Sequence, residues 1–115
     1  MNYEPQNTKT IVVTTTSITH QFIVADITHI VCDAYLCDVY INETNGKITC
    51  SKLLKHFETK LVDYGFIRIH HNVLVNAKYI KQINNKKKEV VLKNNTKLKV
   101  SRRKWITLKK HFTEL

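Results

Sequence analysis

Polar and apolar residues alternate along much of the chain, and a two-residue period predicts strands. Thr10 to Thr16 and Thr19 to Val24 read as a pair joined near Ser17, followed by Ile27 to Cys32 and Cys37 to Asn42 around a tight Asp33-Ala34-Tyr35-Leu36 connection. Thr44-Asn45-Gly46-Lys47 carries a hairpin signal, because Asn-Gly can hold the positive φ angles of a turn that matches strand twist. Ile48 to Cys50 is expected to return beside Val39 to Ile41. The period then changes. Leu53, Leu54, Phe57 and Leu61 fall on one helical face, with Ser51 placed to cap the first turn and Gly65 to end the helix in a left-handed conformation. Further strands are predicted at Phe66 to His70, Val73 to Val75, Tyr79 to Ile83, Glu89 to Leu92 and Lys97 to Val100. Ser101 can cap a last helix whose apolar face is Trp105, Leu108 and Phe112.

Composition agrees with a strand-rich fold. Val, Ile and Thr supply 11, 12 and 13 of the 115 residues, and β-branched side chains suit pleated, half-buried surfaces. Two glycines and one proline against ten asparagines imply that Asn fills many positive-φ turn positions. Residues 1 to 9 are expected to form a flexible tail and residues 10 to 115 a single domain. No apolar run approaches the ~20 residues of a membrane span. The polar start lacks the pattern of a cleaved signal, so a cytoplasmic protein is expected.

Charge changes the picture more. The net charge is +10, but residues 1 to 63 carry five Lys against seven acids, whereas residues 64 to 115 carry fourteen Lys or Arg against Glu89 and Glu114. A field of one sign on half of a small domain attracts a polyanion. Arg102, Arg103 and Lys104 also crowd the first turn of the last predicted helix, where the helix dipole disfavours cations unless an anion binds. Phosphate is the obvious anion. RNA is the weaker reading of that charge, because Phe66, Tyr79 and Trp105 sit on apolar faces and read as core rather than as a stacking platform. Lipid is weaker too, since no long basic amphipathic helix is present.

Catalysis finds little support. There is no phosphate-cradling glycine loop, and nothing meets the outline of an active site, so no enzyme, cofactor or small-molecule substrate is expected. Cys32, Cys37 and Cys50 lack zinc spacing and are odd in number, which predicts reduced, packed thiols and no metal. His70 and His71 should point to opposite faces of a strand, His70 inward.

The run Phe66-Ile67-Arg68-Ile69-His70-His71-Asn72-Val73-Leu74-Val75-Asn76-Ala77-Lys78-Tyr79-Ile80 resembles the central signature of the LytTR DNA-binding domain, an F-x-R-x-H segment that runs into V-N and an aromatic or His before Ile. The flanks are similar as well: Asp26 to Ile41 to the family's early strand-turn-strand, Ser51 to Leu61 to its helix, and Leu92 to Trp105 to its closing strand and V-S-R-R segment. The resemblance implies a mostly β, antiparallel fold with a mid-chain helix and a short C-terminal helix. It further implies a bacterial transcription regulator that reads double-stranded DNA sequence-specifically through loops between strands. Such domains commonly follow a receiver, for which this length leaves no room. Carried over by position, the expected contacts are Tyr35, Cys37, Asp38, Arg68, His71, Asn72, Lys78, Arg102, Arg103 and Lys104. His71 departs from the more usual Arg, Lys or Asn, and the first turn lacks the usual glycine and asparagine. Binding of a second copy to tandem sites is left open, and an RNA-binding or non-specific nucleic-acid module is the alternative.

Overall fold

The computed structural model describes residues 9–42 and 46–112. Strands β1 (Thr10–Thr14) and β2 (Thr19–Ile23) pair antiparallel, with Thr14 opposite Thr19. Their turn is local chemistry: the Thr15 hydroxyl accepts from the backbone N–H groups of Ser17 and Ile18. The Lys9 carbonyl accepts from Val24 N–H, so the last residue of the expected tail is tied to this hairpin. The rest of that tail lies outside the described residues.

A five-stranded antiparallel sheet forms the centre. Its strands are β3 (Ile27–Asp33), β4 (Leu36–Ile41), β5 (Lys47–Ser51), β6 (Phe66–His70) and β7 (Val73–Asn76), in the order β5-β4-β3-β7-β6. Ile48 lies opposite Val39 and Cys50 opposite Cys37, so β5 returns further along β4 than the sequence predicted. The Asn45 position of the predicted hairpin turn is outside the described residues. A three-stranded sheet, β8 (Ile80–Asn84), β9 (Glu89–Leu92) and β10 (Lys97–Lys99), has order β10-β9-β8.

Two apolar cores lie on opposite faces of the central sheet. The first gathers Ile11, Val13, Ile30, Val39 and Leu74 with Phe57 and Leu61 of helix α1 (Leu54–Leu61). The second gathers Ile69, Val75, Val90 and Leu92 with Leu108 of helix α2 (Arg102–Lys109). Burial on both faces explains why Val73-Leu74-Val75 of β7 is an apolar run rather than an alternating one. The V-N-x-x-Y part of the signature is structural: buried Asn76 donates to the Ile27 carbonyl at 3.0 Å, and the Tyr79 hydroxyl donates to the Ala25 carbonyl at 2.6 Å.

Several expectations change. Ser51 ends β5 instead of capping a helix; α1 starts later, with Leu53 at its N-cap and no side-chain cap bond. Leu53 is therefore outside the apolar stripe and exposed. A 3-10 turn at Val62–Tyr64 follows α1 and ends at Gly65, whose φ of 84° is the left-handed conformation expected there. Asn fills fewer positive-φ positions than predicted: among the described residues other than glycine they are Ala34, Lys88 and Asn95. Phe112 is exposed and Trp105 only half-buried, so the apolar face of α2 narrows to Leu108 with part of the indole. The Lys88 and Lys109 ammonium groups lie 5.0 and 5.9 Å from the Trp105 ring centre.

The cysteines are the clearest correction. Cys32 and Cys37 face each other across β3 and β4 and form a disulfide, with Cα atoms 4.0 Å apart. Only Cys50 is a free thiol, buried, and burial pushes its pKa up.

Candidate nucleic-acid interface

Two turns meet at one edge of the central sheet because β3 pairs with both β4 and β7. The first, Ala34-Tyr35, is closed by Asp33 opposite Leu36 and places Ala34 at a φ of 53°. The second, His71-Asn72, joins β6 to β7. The Cys32 N–H donates to the Asn72 carbonyl at 2.9 Å and ties the two together. A cleft of about 440 Å³ opens between them, lined among others by Asp33, Ala34, Lys55, Arg68, His71 and Asn72.

A third segment arrives from the C-terminal side. Ser101 N–H donates to the Ile69 carbonyl at 2.9 Å, which sets the start of α2 beside the end of β6. The Ser101 hydroxyl caps that helix by accepting from Lys104 N–H at 3.2 Å, as its position predicted. Arg102 and Arg103 are exposed in the first turn and Lys104 is half-buried. The Lys86–Lys88 run lies alongside: Val100 N–H donates to the Lys88 carbonyl, and Lys109 Nζ reaches Asn85 of the same turn at 2.9 Å.

Arg68 has an internal occupation. Its Nη1 donates to Glu58 of α1 at 3.1 Å, its Nε to the His70 carbonyl at 3.3 Å, and its Nη2 to the His71 carbonyl. The planar guanidinium fork thereby fixes the backbone that presents His71. A bulge between Arg68 and His70 ends the regular strand, so His70 and His71 do not take opposite faces as predicted. Their rings lie 4.4 Å apart, His70 half-buried with a buried Nδ1 that has no hydrogen-bond partner among the described residues, His71 exposed.

Other predicted contacts stand apart from this edge. The Cys37 side chain is 0% exposed and bound in the disulfide, so it cannot reach a ligand. The Asp38 carboxylate accepts from Thr49 and from Lys47 Nζ at 3.1 Å; the Thr49 bond first, then Lys47, holds its pKa below the usual carboxylate value. Lys78 follows β7 at the far end from His71, where Ala77 N–H bonds to the Gly65 carbonyl. Tyr35 is 72% exposed, but its side chain lines a neighbouring cleft along α1 rather than the one between the two turns. Sequence reasoning missed Lys55, which lines both clefts; its position on the polar face of α1 was the available signal. Among the described residues, no cluster of His, Cys, Asp or Glu could hold a metal ion.

The structure is thus a mostly antiparallel β scaffold that presents two inter-strand turns beside a basic helix start. The family model described as the LytTr DNA-binding domain matches residues 17–113, and the chain belongs to that family. A similar solved structure is described as the LytTr DNA-binding domain of a methyl-accepting/DNA response regulator from Bacillus cereus. It shares 21% identity with a TM-score of 0.72 over 88% of this chain and 94% of that one, which establishes the shared fold. No curated protein matches the chain significantly. No helix among the described residues is long and apolar enough to cross a membrane.

Proposed function

We propose that this chain binds double-stranded DNA sequence-specifically, as a cytoplasmic transcription regulator that needs no cofactor and catalyses no reaction. The observation that carries this reading is the convergence of three segments at one edge, the Ala34-Tyr35 turn, the His71-Asn72 turn and the Arg102-Arg103 helix start, joined by the Cys32 to Asn72 and Ser101 to Ile69 backbone bonds. His71, Asn72 and Arg103 are short or forked donors suited to base edges, while Arg102, Lys104 and the Lys86–Lys88 turn supply phosphate contacts. Arg68 acts as a positioning residue for His71. Binding of two copies to tandem sites belongs to the same proposal.

Selection of bound sequences from random duplex DNA, followed by anisotropy on the selected duplex, tests it. A recovered consensus bound more tightly than scrambled duplex and single-stranded RNA supports the reading. Equal binding of all three sinks it in favour of a non-specific or RNA-binding module. The burial of Phe66 and Tyr79 and the half-burial of Trp105 speak against that alternative, because they withdraw these three rings from stacking on splayed bases.

A further inference from the structure

An open cleft of about 650 Å³ runs between the Tyr35 side chain and the solvent side of α1. Its lining has two chemistries. Tyr35 and Leu53, 72% and 55% exposed, give it apolar walls, and Leu36 is exposed next to Tyr35 in the chain. Lys52, Lys55 and Lys60, with His56, give it a basic rim that contains no carboxylate. Among the described residues the ion pairs are Lys47–Asp38 and Arg68–Glu58, so no acid among those residues forms an ion pair with any of these three lysines. The positive surroundings register on His56, whose pKa is lowered by burial first and then by Lys52 and Lys60.

Exposed apolar side chains scattered singly need no explanation, but an apolar cluster rimmed by unmatched charge marks an interaction surface. Within α1, Lys55, His56 and Lys60 follow helical spacing over about 7.5 Å, and Lys52 lies just before the Leu53 N-cap. DNA at the His71 edge would meet the end of this cleft at Tyr35 and Leu53, the latter shared with the cleft between the two turns, and leave its length along α1, with His56, Thr59 and Lys60, uncovered. A helix with carboxylates at i and i+4 and aliphatic or aromatic residues on the adjoining face matches both chemistries.

We propose that this cleft docks an acidic amphipathic helical segment of a protein partner, its apolar side chains against Leu53 and Tyr35 and its carboxylates against Lys52, Lys55 and Lys60. A contact of two helical turns is small, so the interaction is transient rather than obligate.

The probe is a fluorescein-labelled peptide of about three helical turns with Glu on one face and Leu and Phe on the other. Two controls accompany it, one with Gln for each Glu and one with Ser for each apolar residue. Anisotropy with the intact chain should show saturable binding of the probe and binding weaker by about tenfold for both controls. The exposed double substitution Lys52→Gln/Lys60→Gln should weaken the probe by about tenfold and leave duplex-DNA affinity within about twofold. Undiminished binding of the Ser control would reduce the effect to charge attraction and overturn the proposal. Loss of the probe on Arg103→Ala equal to that of the lysine pair would place the peptide on the DNA edge, and a large loss of DNA affinity in the lysine pair would show that DNA covers the cleft. Either result would also overturn it.

Discussion

The turn between β3 and β4 and the turn between β6 and β7 lie side by side, yet they are held by different means. The first is closed by its own strands: Cys32 and Cys37, next to the closing pair, are covalently joined. The second is held from a distance, because Arg68 takes the carbonyls of His70 and His71 only while Glu58 of α1 holds its third donor. A local lock depends on the redox state of two sulfurs; a distant one depends on the helix. The two turns should therefore fail under different treatments, and together only when the strand they share fails.

That shared strand gives the largest effect. His29 in β3 is 4% exposed and stacked on Tyr40, and burial lowers its pKa to about 4. The unfolded chain binds this proton more readily, so the stability linked to it is complete above about pH 6.5 and is lost as pH falls toward 4. Denaturant titrations should lose about 3 kcal/mol across that window, with both turns melting together. His29→Phe should flatten the dependence; an unchanged slope would move its origin elsewhere.

Arg68→Met should cost roughly 2–3 kcal/mol, since it strands Glu58 and two carbonyls in a half-buried site. Amide exchange should rise around His71-Asn72 while the Ala34-Tyr35 turn stays protected. Uniform exchange in both turns would mean that they are one unit. Reduction by a dithiol should have the converse pattern, loosening Ala34-Tyr35 with a loss of roughly 2 kcal/mol for so short a loop. The smallest effect is expected at Ala34, whose positive φ disfavours a Cβ. Ala34→Gly should stabilise the protein by about 0.5–1 kcal/mol, and a destabilisation would show that the methyl group packs.

The two turns also show where a sequence can be read. Phe66–His70 and Glu89–Leu92 form the predicted strands because length, β-branched content and flanking turn residues agree. An odd number of cysteines argues against a disulfide, but the position of Cys32 and Cys37 argues for one. A two-residue turn between Asp33 and Leu36 puts residues five apart opposite each other, and that signal was present. The role of Arg68 could not be read in the same way. An arginine in the basic half resembles a phosphate contact until Glu58, ten residues away on another element, is seen to hold it. The bulge that brings the His70 and His71 rings together is likewise a tertiary outcome with no local residue signature.

The central claim is that directed contacts at the turn edge are distinct from the general field of the basic half. The most direct measurement is the salt dependence of duplex affinity for the parent, for Arg103→Ala and for a Lys86→Gln/Lys87→Gln/Lys88→Gln variant, on a selected and on a scrambled sequence. The lysine variant should weaken both sequences alike and flatten the log-log slope by about 0.9 for each phosphate it no longer neutralises. Arg103→Ala should lose about 1–3 kcal/mol of discrimination between the sequences. Equal loss of discrimination in both variants, or a salt-independent affinity in the parent, would contradict the account.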